Sequence, residues 1–378
     1  MSEHGDETLA LLKLSLCKGI GPRTVHALVA AFGSARAALT AGADELSRLD
    51  GIGPGTAEAV ARGAADPQAE RELDLMERYR VRLVPHFSED YPPPLCHLED
   101  DAPPLLRMRG DYRRADPLAV AVVGSRRCSA YGRGQASRFA ADLAGMGFTV
   151  VSGMAQGIDS SAHSGALAVK GRTLAVLGCG LAHTLSGRDA ELALAISENG
   201  ALLSELPMEV PPLPGNFPPR NRLIAGLCLG VVVVEAAERS GSLITARLAA
   251  EQGRAVFAVP GSVDSPTSRG THRLIRDGAV LVQDAREVVE ELGPLSEPVE
   301  VDKLADPDAP VLTVRDARAM ALNEREKEVH GLLEAQPQHI DDLIARSGLP
   351  PSIVSSILLT LEIRGLARQL PGQRYATN

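Results

Sequence analysis

The chain has 378 residues, a formal net charge of −9, 44% apolar residues, only 3% aromatics and no Trp. That length exceeds one typical domain, so two or three are expected. No apolar run approaches the ~18 residues of a membrane span, and the polar, acidic start MSEHGDETLA does not read as a signal sequence. These features predict a soluble, cytoplasmic protein with no membrane partner.

In chain order, residues 1–67 come first. They carry LCKGIGPRTVHALVAAF and then LSRLDGIGPGTAEAVARG, with Gly19 and Gly21 repeated 32 residues later as Gly51 and Gly53. Each copy is a helix end, a Gly-Ile-Gly turn and a further helix, which predicts a tandem helix-hairpin-helix (SAM-like) domain. Its acidic balance favours partner contact over a grip on phosphate. Residues 68–291 form the second domain. A helix near 68–80 precedes prolines at 92–94 and 103–104, which forbid a continuous helix and predict short edge strands. Apolar runs near 118–123, 148–151, 173–177, 201–204, 230–235, 254–259 and 279–282 then alternate with helical patterns. That is the signature of an α/β fold with a doubly wound, mostly parallel, extended Rossmann-like sheet. Residues 292–322 are acidic, hold four prolines and lack periodicity, and read as a flexible linker. Residues 323–378 predict helices at 324–335, 339–346 and 351–364 and a two-stranded wing, a winged-helix domain. The third helix, PPSIVSSILLTLEIRG, has no basic residue before Arg364, so protein contact is expected of it rather than base reading.

Three of the apolar runs end in loops of glycine and hydroxyl residues, each opening a helix. The first leaves Gly124, Ser125, Arg126 and Arg127 at the strand end. The second, FTVVSGMAQGIDSSAH, leaves Gly153, Gly157 and Asp159; the third, VVVVEAAERSGSLITA, leaves Ser240, Gly241, Ser242 and Thr245. In an open parallel sheet such loops converge on one crevice, where helix N-termini offer N–H groups to anions. A phosphate site is the expectation. FPPRNRLIAG adds Phe217, Arg220, Asn221 and Arg222, whose planar guanidinium forks suit phosphate oxygens or base edges. For Arg126, Arg220 and Arg222 the alternatives are a phosphate contact or an ion pair between loops, with Arg220 preferred for phosphate. For Phe217 they are a stacking platform or an ordinary core ring.

Residues 1–110 hold 12 basic and 17 acidic residues, 111–290 hold 18 and 17, and 291–378 hold 9 and 14. The least acidic segment is therefore the one that places Arg126, Arg127, Arg172, Arg220 and Arg222 near the expected crevice, and local field governs binding more than total charge. Cys17, Cys96, Cys128, Cys179 and Cys228 have no paired spacing, which argues against a disulfide framework. Asp159 and His163, four apart at a helix start, fit an N-cap and its neighbour better than a metal pair. No metal and no cofactor are predicted.

GSRxxSxYG, SGMAQGID, FPxRNRLIAG, SGSLITA and FAVPG, in this order, resemble the DNA-processing protein A (DprA, Smf) family, densely over about residues 70–290. The resemblance implies a homodimeric, non-enzymatic single-stranded-DNA-binding protein that protects incoming DNA during natural transformation and loads the RecA recombinase. It implies DNA-binding roles for Gly124, Ser125, Arg126, Arg127, Gly153, Arg172, Phe217, Arg220, Asn221, Arg222, Ser240, Gly241 and Ser242. Two stretches depart from the family pattern: Leu213–Asn216, where relatives carry a basic residue, and Ala182–Leu185 after LGCGL. The alternative is an enzyme similar to the nucleoside-monophosphate phosphoribohydrolases, with Glu235 or Glu205 as its carboxylate near the sugar, or a nucleotide-binding protein of the same lysine-decarboxylase-like fold. No nucleophile elbow or GxxxxGK[ST] loop supports other chemistry.

Overall fold

The structure, a computed structural model, describes residues 3–49, 51–63, 66–292, 324–334, 336–363, 366–370 and 372–377. Most of the expected linker, from 293 to 322, lies outside them. Two compact units divide near Ala285.

The N-terminal helices are α1 (Glu3–Leu16), α2 (Pro22–Phe32), α3 (Ala35–Thr40), α4 (Ala43–Leu46) and α5 (Pro54–Gly63). The repeat in the sequence has a backbone cause: Gly19 and Gly51 hold φ of 82° and 83°, a region that side chains resist. Leu11, Leu14, Leu28, Leu46, Ile52 and Val60 close a small core behind the two turns. Helix α6 (Gln68–Tyr79) follows. Its Glu72 is buried against Arg107, with Oε1 2.5 Å from Nε, and also accepts from the Met208 N–H. Removing either partner would strand a buried charge, at a cost of about 3–5 kcal/mol.

The sheet then begins with two antiparallel strands, β1 (Arg82–Pro85) and β2 (Leu105–Gly110), separated by a kinked 3₁₀ segment at 93–101. Next come β3 (Ala119–Val123), α7 (Ala130–Gly145), β4 (Thr149–Ser152), α8 (Ile158–Ala168), β5 (Thr173–Val176), α9 (Leu181–Leu185), α10 (Ala190–Glu198) and β6 (Gly200–Ser204). They are followed by α11 (Phe217–Gly226), β7 (Gly230–Val233), α12 (Gly241–Glu251), β8 (Ala255–Ala258), α13 (Arg269–Arg276), β9 (Val280–Leu281) and α14 (Ala285–Glu291). The nine strands run β1-β2-β6-β5-β4-β3-β7-β8-β9, parallel from β6 to β9. Strands β3 to β7 are buried along their whole length, which is why they read as continuous Ala, Val and Leu rather than alternating. The strand order reverses between β3 and β7, and a crevice opens at the carboxyl ends of such a switch point.

The C-terminal unit contains α15 (Glu324–Leu332), β10 (Gln338–His339), α16 (Ile340–Ser347), α17 (Pro351–Ile363), β11 (Ala367–Leu370) and β12 (Arg374–Thr377). Val329, Leu343, Val354, Leu358, Leu361 and Leu366 form its core. The expected two-stranded wing is β11 and β12, and a third short strand, β10, pairs with β12; two polar residues are too short a run to announce β10. Gly348, at φ 65°, ends α16 in the left-handed conformation. No single helix among the described residues is long and apolar enough to cross a membrane; the bent pair Ile340–Ser347 and Pro351–Glu362 passes that test on length and composition.

Candidate functional site

The three loops meet as their sequence suggested, around a cleft of about 620 Å³ at the β3/β7 switch point. Gly124, Ser125, Arg126 and Arg127 line it from the first loop, Asp159 and Ala155 from the second, and Ser240, Gly241 and Ser242 from the third; Phe217, Arg220 and Asn221 of α11 complete the wall. The loops are not equivalent anion seats, because the protein fills two of them itself.

At the start of α7, both carboxylate oxygens of Glu235 are engaged. The Ser129 N–H donates to Oε2 at 2.8 Å and the Ser129 hydroxyl to Oε1 at 2.6 Å. Ser129 then caps the helix, accepting from the Gly132 N–H. The Gly153 and Ala155 N–H groups in the β4–α8 loop both point at Asp159 Oδ2, at 3.2 and 3.4 Å. Asp159 is thus not the N-cap expected from its place in the sequence. The N-cap is Gly157, at φ 92°, where a Cβ would stand 2.5 Å from the Ser125 carbonyl oxygen. Asp159 sits in the first turn, buried, with its carboxylate folded back on its own loop. Burial pushes its pKa up against the pull of Arg220. His163, four residues on, is buried with Nδ1 2.7 Å from the Thr173 hydroxyl; desolvation lowers its pKa to about 3.

The third loop is open. Ser240 caps α12 by accepting from the Ser242 N–H, and the first turn carries no acidic residue. The Gly241 N–H has no partner among the described residues, and the Ser240 and Ser242 hydroxyls lie 2.8 Å apart beside it. Arg126, Arg127 and Arg239 are exposed around this seat. None of their guanidinium groups makes an ion pair or hydrogen bond among the described residues. Sequence reasoning missed Arg239; the signal was its position directly before the SGS turn.

The sequence-selected arginines separate into two groups. The Arg126 guanidinium lies 4.4 Å from the centroid of the half-buried Phe217 ring, so that ring is a wall of the cleft rather than part of the core. On its far side a second cleft of about 390 Å³ begins, lined by Gly153, Gly178, Cys179, His183 and Arg188 among others. Arg127 projects freely. Arg220 does not fulfil the expectation of a free phosphate donor: it is 4% exposed. Its Nη1 donates to the carbonyls of Gly153 and Val176, tying together the ends of β4 and β5. Burial lowers its pKa to about 10, with Asp159 opposing the drop. Gly153, with its N–H and carbonyl both used, faces the second cleft.

Arg222 points away from the crevice. It forms a two-pronged pair with Glu205 at 2.7 and 2.9 Å and donates to the Asp101 carbonyl. Arg172 is at the wrong end of the sheet. It precedes β5, so it lies at the amino ends of the parallel strands, paired with the buried Asp116 through Nε at 2.7 Å and Nη2 at 2.6 Å. Asn221 is buried and reaches the Gly241 carbonyl at 3.4 Å. In the N-terminal domain, Arg23 forks onto Asp101 with both bonds at 2.7 Å, and His26 Nε2 lies 2.9 Å from the Ala102 carbonyl. The first hairpin therefore docks on the 3₁₀ segment. Among the described residues, no group of three His, Cys, Asp or Glu is placed to hold a metal ion.

Family models agree with this architecture. Residues 82–293 match the model for DNA recombination-mediator protein A, 314–373 that for the DprA winged helix domain, and 9–66 that for a SAM-like helix-hairpin-helix tandem. The chain belongs to the DNA recombination-mediator protein A family. It is 43% identical over 306 residues to Protein Smf of Escherichia coli (strain K12), covering 80% of this chain and 79% of that one. It is 38% identical over 227 residues to DNA processing protein DprA of Bacillus subtilis (strain 168), covering 60% and 76%. Among solved structures, DprA from Streptococcus pneumoniae aligns with a TM-score of 0.63 at 34% identity, over 74% of this chain and 95% of that one. DprA from Helicobacter pylori, described for its single-stranded DNA binding mode, aligns at 0.50 and 30%, over 56% and 95%. As a member of the DprA family, the chain has, in sequence order, a helix-hairpin-helix tandem, the mostly parallel α/β sheet and a winged helix.

Proposed function

We propose that the crevice binds the sugar-phosphate backbone of single-stranded DNA and that the protein is a DNA-binding mediator rather than an enzyme. The observation that carries this reading is the open start of α12, where the Gly241 N–H and the guanidinium groups of Arg126, Arg127 and Arg239 around it have no hydrogen-bond or ion-pair partner among the described residues. A phosphate there meets a helix dipole and several charged donors at once. The Helicobacter pylori relative's single-stranded DNA binding supports the choice of ligand. Phe217 offers a face on which a base can stack, worth about 1–3 kcal/mol. In this reading Gly124, Ser125, Ser240, Gly241 and Ser242 supply backbone and hydroxyl donors, and Arg220, Asn221 and Gly153 hold the site in shape.

The same reading makes the protein a cytoplasmic homodimer that protects incoming DNA during natural transformation and hands it to the RecA recombinase. In this reading the dimer surface is the short strand β9, an edge of the described sheet, where Leu281 is exposed and Leu274 and Ile275 of the preceding α13 are half-buried; a sheet edge invites a second chain. The phosphoribohydrolase alternative needs a carboxylate at the sugar. Glu205 is paired with Arg222 and Glu235 with Ser129, which argues against it.

A salt titration of binding to single-stranded and duplex oligonucleotides, run beside a nucleotide-hydrolysis assay, tests the proposal. Preference for the single strand, with a log–log salt slope of about −0.7 per phosphate held and no hydrolysis, is expected. Turnover of a nucleoside monophosphate would overturn it.

A further inference from the structure

Glu235 is 4% exposed, yet it belongs to the strand end beside the crevice and lies outside the cleft lining. Among the described residues, its hydrogen bonds all go to the Gly124–Ser129 loop. Its backbone oxygen accepts from the Ser125 N–H at 2.7 Å, and its two carboxylate oxygens accept from the Ser129 N–H and hydroxyl. The loop between those anchors is Arg126, Arg127 and Cys128. Gly132, one turn into α7, faces the same carboxylate: a Cβ there would lie 2.5 Å from Oε2. The space is therefore shaped around the Glu235 side chain. A carboxylate at a helix start satisfies the free N–H groups and the dipole that would otherwise attract an external anion.

We infer that Glu235 is a positioning residue for DNA binding, a resident anion that closes the α7 seat and clamps the loop at both ends so that Arg126 and Arg127 face the α12 seat. The inference rests on the proposed reading of the crevice. It also assigns the phosphate site expected where the three loops converge to the α12 loop alone, because Glu235 and Asp159 occupy the N–H groups of the other two.

The test uses the full chain, a fluorescent single-stranded oligonucleotide and variants Glu235→Ala, Glu235→Gln, Ser129→Ala, Arg126→Ala and the double variant Glu235→Ala/Arg126→Ala. Glu235→Ala should weaken binding about tenfold, as loss of charge-assisted contacts does. It should also flatten the salt slope by about 1.4, two single-strand phosphates. Glu235→Gln keeps a group that can accept from the Ser129 N–H and donate to its hydroxyl, and should recover most of the affinity. The double variant should bind only slightly less well than Glu235→Ala, since two residues acting through one contact are not additive. A purely structural role predicts a lower melting temperature with an unchanged slope and additive losses, and would overturn the inference. If Glu235→Ala does not fold, Ser129→Ala removes the other half of the clamp and should lose slope in the same way; an unchanged slope there overturns the inference equally. Arg126→Ala separates the two claims. If it binds like the parent, the crevice reading itself fails. If it weakens binding while Glu235→Ala and Ser129→Ala do not, the crevice reading survives and the clamp is wrong.

Discussion

The loops after β4 and β7 look alike in sequence, glycines and hydroxyls at a strand end opening a helix, yet one is closed and the other open. After β4 the N–H groups of Gly153 and Ala155 are consumed by Asp159, and Arg220 spans the strand ends behind them. After β7 the first turn of α12 has no carboxylate, and Arg239 beside it has no ion-pair or hydrogen-bond partner among the described residues. The lesson is that a glycine-rich loop announces available N–H groups, and only the whereabouts of nearby carboxylates decides whether they remain available.

The contrast is broken most severely by removing the resident charges. Asp159→Ala leaves Arg220 buried without its counter-charge, and Arg220→Ala leaves Asp159 so. Each should destabilise the protein by about 3–5 kcal/mol, read as a fall in melting temperature and denaturation midpoint. Stability unchanged in both would show the closed loop to be no more structural than the open one. On the open side the effect moves from stability to binding. Arg126→Ala should weaken single-stranded DNA by about 1–3 kcal/mol, measured by fluorescence anisotropy, with the melting temperature unaltered. The smallest effect belongs to His163, inside the closed half. Its folded pKa lies near 3 and its unfolded one near 6.5, so the unfolded chain binds more protons between those values and stability falls as pH drops through that window. The loss attributable to His163 should be about 0.8 kcal/mol at pH 6 relative to high pH. The raised carboxyl of Asp159 acts in the opposite direction, so the comparison is between the parent and His163→Asn, whose stability should vary less from pH 7.5 to pH 6. An identical pH profile for the two contradicts the assignment.

Much of the fold was legible because its signals are local. Continuous apolar runs marked buried parallel strands, the Gly19/Gly51 spacing marked paired hairpins, and the three loops marked the crevice. The misplaced residues depend on long-range partners. Nothing near Arg172 in sequence reveals Asp116, 56 positions away and buried. Arg222 finds Glu205 across the α11 approach, and Arg220 turns inward to donate to the carbonyls of Gly153 and Val176. Arg239, by contrast, was overlooked although adjacent to the right motif, since a lone arginine in AAERSGS looks like any solvated charge. The ion pair of the helix-hairpin-helix residue Arg23 with Asp101 likewise joins positions far apart in the chain.

The central claim, that DNA is gripped at the open seat by arginines whose guanidinium groups have no ion-pair or hydrogen-bond partner among the described residues, is tested most directly by the salt dependence of single-strand binding for two variants side by side. Arg239→Ala should flatten the log affinity against log salt slope by about 0.7 and leave the melting temperature alone. Arg172→Ala should leave the slope unchanged and lower stability, because Asp116 loses its counter-charge. A flattened slope in Arg172→Ala together with a parental slope in Arg239→Ala would contradict the account and move the DNA path away from the β3/β7 crevice.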